Sequence, residues 1–361
     1  MQKIIKEFPI LDNNIYANTA AYGIMYDGLL DWRQEHDLDY LIGGSEFKIK
    51  SLKLIHQVRE TVGQFFSCKT SNVALVQNFS LGLNLLLEGL DPKKKVLLIH
   101  EDYPSLNWPF EKKGFNITHI HMAVNIEELI LKKIRENAID VLAISIVQWL
   151  NGVKIDLEFL KKLKKEFPNL LIIADGTQYL GTEEFNFKDS AVDILGASGY
   201  KWLLAGSGNG FFLFKDDVKN HFNLKTIGFN SVRGDFTKKD DFDLIYHFEP
   251  GHLDTLSFGS LKCSLDYLKK IGMNQITMVN KELRETALRE FAKLNLLEES
   301  VIGRPEHGNI FNIKGNQKLF DALMENDIVC SQRGGGIRLS FHFYNTTKNI
   351  AKVIDVIKKM K

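Results

Sequence analysis

The sequence predicts an α/β protein in which a large, doubly wound, mostly parallel sheet is followed by a smaller α+β unit. Three observations carry this reading. Between about Val73 and Phe214, short apolar runs alternate with longer amphipathic stretches, the rhythm of strand and helix in a sheet covered on both faces. The apolar runs are continuous instead of alternating, as strands buried on both sides require. Beyond His252 the order changes to two helices, several short strands and a last helix, a separate α+β pattern.

Taken in order, Val73–Val76, 95–100 (KVLLIH), 141–147 (VLAISIV), 170–174 (LLIIA) and 211–214 are the expected strands of the large unit, with helices at 125–137 and 156–166 between them. Residues 229–246 are rich in charge and lack a period, which marks a surface excursion or an interface segment. The second unit is expected to hold helices at 256–271 and 277–296, strands at 308–313, 328–331 and 336–341, and a closing helix after Asn345.

A composition 44% hydrophobic and 25% charged is that of an ordinary globular protein and excludes disorder. Lys plus Arg at 46 against Asp plus Glu at 45 leaves a net charge of +1, so no broad field points to nucleic acid or to an anionic membrane. Cys68, Cys263 and Cys330 are too scattered for a metal site or disulfide framework, as expected of buried thiols in a reducing cytoplasm. Charges interrupt the apolar residues of 1–12, which argues against a signal peptide, and no apolar run has transmembrane length. The expectation is a cytoplasmic protein, complete as it stands, that acts on small molecules without a metal.

Three residues carry the chemistry. Asp175 follows the run LLIIA, Gln178 comes three residues later, and Lys201 sits in 198–202 (SGYKW). Pyridoxal phosphate needs such a set: its aldehyde takes a lysine amine, and its ring nitrogen takes an acidic partner that keeps the ring protonated. The lysine then serves as Schiff-base partner at rest and as general base or acid once displaced by substrate. An aspartate at a strand's carboxyl end also lies where open α/β sheets place their ligands. Alone, Asp175 would serve equally well as a turn or cap residue, and a lone lysine is usually solvated. Tyr200, Trp202, Leu203 and Leu204 argue otherwise by surrounding Lys201 with bulk.

Residues 78–84 (NFSLGLN) follow a strand and lead into an apolar stretch, which places Ser80 and nearby backbone amides at a helix N-terminus, a natural anion site. A plain serine N-cap is the competing reading. Residues 206–210 (GSGNG) are read as a turn, since lone glycine patterns are weak. Tyr103, in 101–105 (EDYPS) directly after a strand, is placed to cover a planar cofactor or simply to pack. Arg338, in 336–340 (GIRLS), offers a guanidinium fork to a substrate carboxylate, against the commoner fate of a surface arginine.

At these residues the chain resembles the class V aminotransferases, a branch of fold-type I pyridoxal-phosphate enzymes that includes cysteine desulfurases, kynureninases and isopenicillin N epimerase-like proteins. The resemblance spans nearly the whole chain: 18–23 (NTAAYG), 80–84 (SLGLN), 101–105, 151–157 (NGVKIDL), 174–178 (ADGTQ), 198–202, 248–251 (FEPG), and 337–340 (IRLS) with 343–346 (FYNT). It implies Lys201 as the Schiff-base lysine, Asp175 as the ring-nitrogen partner and Gln178 as a donor toward the ring oxygen. Ser80, Leu81, Ser198 and Tyr200 would surround the phosphate, Tyr103 would stack on the ring, and Gln148 would lie near it. Arg338 would receive the substrate carboxylate, with Asn18 on the substrate side. The resemblance further implies a homodimer with both sites at the interface. Its domains would be an arm, 1–17, on the small domain, a cofactor-binding domain, 18–247, and a small domain, 248–361.

Two departures matter. Relatives often carry Gly-Thr where this chain has Gly251-His252; that threonine reaches the neighbouring subunit's phosphate, so His252 replaces the contact or the contact is lost. Desulfurases need a mobile cysteine loop just after the motif matching 331–333, yet here Arg333 runs through three glycines into Arg338, and Cys330 precedes that point in an expected strand. Desulfuration is therefore disfavoured. The expected reaction is transfer of an amino group between an amino acid and a 2-oxo acid, with racemisation, epimerisation and C–S or C–C lysis as alternatives. A cofactor-binding protein without turnover is the remaining reading, and the joint presence of Lys201, Asp175, Gln178 and Arg338 argues against it.

Overall fold

The computed structural model describes residues 2–360, Gln2 by its backbone alone. After a two-residue strand, β1 (Ile15–Tyr16), seven strands build the central sheet: β2 (Val73–Val76), β3 (Lys95–Ile99), β4 (Asn116–Ile120), β5 (Val141–Ser145), β6 (Leu171–Asp175), β7 (Ile194–Ser198) and β8 (Gly210–Phe214). Their spatial order is β2-β8-β7-β6-β5-β3-β4. The run from β4 to β7 is parallel, and β8 is antiparallel to both of its neighbours.

Five of these strands are the apolar runs expected from the sequence. The other two, β4 and β7, are not continuous apolar runs, and the reason differs. β4 (NITHI) is an edge strand partly open to solvent, so it tolerates Asn, Thr and His. β7 (ILGAS) needs Gly196, where an added Cβ would come within 2.5 Å of the Phe212 ring. Residues 24–72, unassigned from the sequence, form the long helices Asp27–Gly43 and Phe47–Phe66. Leu38, Leu41, Ile42, Ile49 and Leu52 are all exposed there, which blurs the amphipathic pattern.

The chain then forms helices Thr255–Ile271 and Met273–Lys293 and the strands β9 (Ile310–Ile313), β10 (Ile328–Val329), β11 (Ser331–Arg333) and β12 (Gly336–Ser340), and helix Thr347–Lys359 closes it. β11, β12 and β9 make an antiparallel sheet in that order, whereas β10 pairs in parallel with β1. The strand expected over 328–331 is therefore divided at Cys330, because its two halves serve different partners. Phe291, Phe311, Ile313, Leu323, Ile337 and Val353 belong to a second core here. Helix Thr255–Ile271 faces the other way: Gly259 lies against Trp32 and Leu54, and Phe258, Leu261 and Leu265 share the large unit's core. Residues 229–246 carry short 3-10 turns with Phe229 and Phe236 exposed. No described helix is long and apolar enough to cross a membrane.

One buried ion pair ties the start of the small unit to the sheet. Arg59 Nη1 and Nη2 donate to Glu249 Oε1 and Oε2 at 2.7 and 2.6 Å, and Nη1 also donates to the Val73 carbonyl at 2.6 Å. Glu249 Oε1 accepts from Leu75 N as well, at 2.8 Å. This fork is bidentate and further hydrogen-bonded, the condition under which a buried pair holds its place. It fixes the FEPG turn over β2, and His252 follows from it. Arg59→Met, which leaves Glu249 buried without its cation, is expected to lower stability by about 3–5 kcal/mol. Urea unfolding measures this, and the double variant with Glu249→Leu should recover most of the loss.

Candidate active site

The parallel strands bring their carboxyl ends together, and Asp102, Ser145, Asp175 and Ser198 stand there, the ligand-binding edge of an open α/β sheet. Asp175 is 4% exposed and accepts a hydrogen bond from Thr177 N at 2.8 Å. Burial raises its pKa, hydrogen bonds from Thr177 and the charge of Lys201 oppose that rise, and the nearby Asp102 carboxyl adds to it. A carboxylate in this position gains from any cation that approaches it.

Lys201 occupies a tight turn after β7, closed by Leu204 N donating to the Lys201 carbonyl at 3.1 Å, with Leu204 at φ 57°. The segment 18–23 presses on this turn. Gly23 N donates to the Tyr200 carbonyl at 2.8 Å, and a Cβ on Gly23 would fall 2.1 Å from the Lys201 carbonyl oxygen. Lys201 is 6% exposed, and its Nζ finds no hydrogen bond or ion pair among the described residues. It lies 5.3 and 5.4 Å from the ring centroids of Tyr103 and Tyr200. Burial lowers its pKa most; Asp175 opposes that, and Arg338 and Arg333 lower it further. The amine sheds its proton more readily than a solvated lysine, as a nucleophile and base must.

In front of Tyr200 a cavity of about 350 Å³ is lined by the hydroxyls of Ser80, Ser105, Thr177, Ser198 and Ser207, with Tyr103 at its side. It opens at the N-terminus of helix Phe79–Glu88, whose cap is Asn78 and not Ser80: Asn78 Oδ1 accepts from Leu81 N at 2.9 Å. The Ser80 hydroxyl is left uncommitted, and Ser198 Oγ, which accepts from Phe79 N at 2.9 Å, keeps its proton for donation. Leu81 does not join this set, since its amide is taken by the cap. Its exposed side chain lines a different depression with Gly251 and His252. His252 thus stands away from Lys201.

Gln148 shapes a turn instead of facing the cavity: its Oε1 accepts from Leu150 N and Asn151 N at 2.6 and 2.9 Å. That turn presents the Trp149 carbonyl, which accepts from Arg338 Nη1 at 2.8 Å. Arg338 is 2% exposed, forms no ion pair among the described residues, and its Nε is buried without a partner. Asn18, which bridges to Ser340, also holds a buried, unpartnered Oδ1. Gln178 is anchored at both ends of its amide: Oε1 accepts from Trp202 Nε1 at 2.7 Å, and Nε2 donates to the Ala20 carbonyl at 3.0 Å, leaving one amide hydrogen free.

Thr177, Asp102, Trp149 and His342 went unnoticed in the sequence. Thr177 sits inside the ADGTQ motif and accepts from Ser198 N at 3.1 Å, so the motif itself was the signal. His342 had none, because its role is fixed by residues far along the chain. Its Nδ1 accepts from Asn280 Nδ2 at 3.2 Å and its Nε2 donates to the Trp202 carbonyl at 3.1 Å, next to Lys201.

The family model described as Aminotransferase class-V matches residues 41–353. The chain belongs to the class-V aminotransferase family. Among its relatives is a probable cysteine desulfurase of Ureaplasma parvum serovar 3, 22% identical over 98% of this chain and 96% of the relative. The fold matches an apo cysteine desulfurase from Thermococcus onnurineus NA1 with a TM-score of 0.86 at 18% identity, covering 99% of this chain and 97% of that one. It also matches the cystine C-S lyase C-DES in complex with its product cysteine persulfide, at a TM-score of 0.85 and 18% identity, over 96% and 98% of the two chains. The architecture of this class-V protein is that of fold-type I, and its cofactor is pyridoxal phosphate.

The residues present fit that cofactor. An unpartnered amine at Lys201 lies near the rings of Tyr103 and Tyr200, Asp175 is a buried carboxylate within its field, and the hydroxyl-lined cavity at a helix N-terminus suits a phosphate. His342 provides a test of how this arrangement is held. Burial holds its imidazole down to about 3, so the folded state binds the proton less readily than the unfolded chain. Its contribution is complete above about pH 6.5 and is lost as the pH falls from there. Between pH 7 and pH 5 a His342→Asn variant should lose less urea stability than the parent, by about 2 kcal/mol. Parallel pH dependence in the two proteins would refute a neutral, buried His342.

Proposed function

We propose that this class-V enzyme transfers the amino group of an α-amino acid to a 2-oxo acid, with Arg338 receiving the substrate carboxylate and Lys201 moving the proton. The observation that carries this is Arg338: a guanidinium buried beside the amine, with no carboxylate of its own and an orphaned Nε. A charge buried without a counter-ion is costly unless a ligand supplies one.

Lys201, Asp175 and the hydroxyls of Ser80, Ser198 and Tyr200 would hold pyridoxal phosphate, with Tyr103 over its ring. When bound, the cofactor supplies an electron sink for the pair left when the α proton departs. Lys201 Nζ, its pKa lowered by burial, takes that proton and can return it to another carbon. Arg338 fixes the substrate by its carboxylate, held in turn by the Trp149 carbonyl. Trp202 and Gln178 keep the Lys201 turn in register with the segment 18–23.

Protein thiols do not suit a sulfur relay. Burial pushes Cys330 up to about 12 and Cys68 up to about 11, and Cys263 is also raised. The turn between β11 and β12 is two glycines long, Gly334 and Gly335 at φ 58° and 74°, with no room for a cysteine loop. Elimination of a sulfur substituent from the substrate needs no protein thiol, and the desulfurase relatives favour it as a second reading. The active form we infer is a homodimer, which the exposed Leu41, Ile42, Ile49, Phe229 and Phe236 support as a surface for a second copy. Three unpaired cysteines agree with a cytoplasmic setting.

The decisive experiment incubates holoenzyme with single amino acids, with and without a 2-oxo acid acceptor. Transfer predicts one new amino acid for each 2-oxo acid formed, no ammonia, and dependence on the acceptor. Ammonia with sulfide and no need of an acceptor would overturn it in favour of elimination; loss of chirality alone would favour racemisation. Lys201→Ala is expected to leave no borohydride-fixed cofactor on the chain, as read by mass spectrometry. Arg338→Gln should weaken binding of the α-carboxylate by about ten- to hundredfold.

A further inference from the structure

β11 and β12 pair antiparallel with Ser331 opposite Arg338, Gln332 opposite Ile337 and Arg333 opposite Gly336. Side chains alternate along a strand, and directly paired residues project to the same side. Arg333 and Arg338 therefore share one face of this hairpin, as diagonal neighbours. Ile337 marks the opposite face, which is buried in the small unit's core. The position between the two arginines is Gly336, which carries no side chain, and the Asn312 amide lies over it, a Cβ there falling 2.2 Å from Asn312 Oδ1. Asn312 Nδ2 also donates to the Arg333 carbonyl at 2.9 Å, which pins the end of the hairpin.

Neither guanidinium has an acidic partner among the described residues. Arg338 donates to one backbone carbonyl, and the exposed Arg333 side chain forms no hydrogen bond. An exposed arginine is ordinarily a solvated charge. This one is different in place: it stands on the same face as a buried, unpaired arginine, and the charges of both act on Lys201. Like charges so arranged repel unless anions join them. Burial pushes Arg338 down to about 10, and Arg333 adds to that push; Arg333 also disfavours the charged form of Lys201. The hydroxyl-lined cavity at helix Phe79–Glu88 takes the cofactor phosphate without either arginine. One substrate carboxylate satisfies Arg338 and leaves Arg333 unmatched.

We propose that Arg333 is a specificity-determining residue that pairs with a second carboxylate, so that the preferred substrates are dicarboxylic amino acids and dicarboxylic 2-oxo acids. The inference rests on the reading of Arg338 as receptor of the first carboxylate. The hairpin then holds both ends of one substrate: the inner arginine takes the α-carboxylate and the outer, solvent-side arginine takes the side-chain carboxylate. A side chain of one or two methylene groups spans such diagonal positions, as in aspartate or glutamate.

The test is calorimetric binding to the holoenzyme of 2-oxoglutarate and oxaloacetate against 2-oxohexanoate and 2-oxopentanoate, which lack the second charge. The dicarboxylates are expected to bind at least about tenfold more tightly, and Arg333→Gln to bring that ratio within about twofold of unity. Arg333→Lys, which keeps the charge and loses the fork, should retain part of the preference. Equal binding of the two classes by the parent protein, or an unchanged ratio in Arg333→Gln, overturns the role of Arg333 while leaving Arg338 as carboxylate receptor. Binding of neither class overturns both assignments.

Discussion

A primary amine kept dry with nothing to bond to is the constraint around which the rest of this molecule is arranged. Lys201 is buried, and an ammonium there lacks the water that would stabilise it. The protein answers with an opposing carboxylate, Asp175, set at the end of β6, and with two aromatic rings whose faces tolerate a cation. Parallel strands make this possible, because they gather several carboxyl ends at one edge of the sheet. The turn that carries the lysine is then fixed by backbone geometry, with Leu204 in a left-handed conformation and Gly23 packed where no side chain fits.

That turn is held from outside the sheet. Asn280, His342, Trp202, Gln178 and Ala20 form an unbroken series of hydrogen bonds that runs from helix Met273–Lys293 to the first residues of the chain. Asn280 Oδ1 is buried in it without a partner, and one amide hydrogen of Gln178 stays free. Arg338 is steadied by a second series, in which Gln148 shapes the turn that offers the Trp149 carbonyl. The Lys201 turn is therefore braced from the small unit through Asn280 and His342, whereas Arg338, carried by that unit, is braced by a turn of the large one.

Much of this was legible in the sequence wherever the chemistry and the burial coincide locally. Asp175 and Lys201 lie beside buried strands, and their residue types are demanded by one cofactor. Residues whose role depends on distant partners were not legible: His342 reads as one more histidine until Trp202 and Asn280 are seen beside it. Leu81 and Gln148 are expected at the cofactor through the resemblance, and the structure gives the Leu81 amide to a cap bond and Gln148 Oε1 to a turn. β4 and β7 failed the apolar-run criterion for opposite reasons, solvent at an edge and crowding at the centre. Arg333 stood out only once the register of a hairpin showed which arginine shares its face.

The segment 18–23 has a consequence for how the chain matures. Thr19 and Ala20 are bonded to the side chains of Tyr344 and Ser340, partners 325 and 320 residues away. Contacts of such separation form late, since a long loop must close first. On a ribosome the segment 18–23 would wait, without these partners, until residues 340–344 had emerged. The wall behind Lys201 thus closes only after residues 340–344 have been made, and a chain cut short of them lacks that wall.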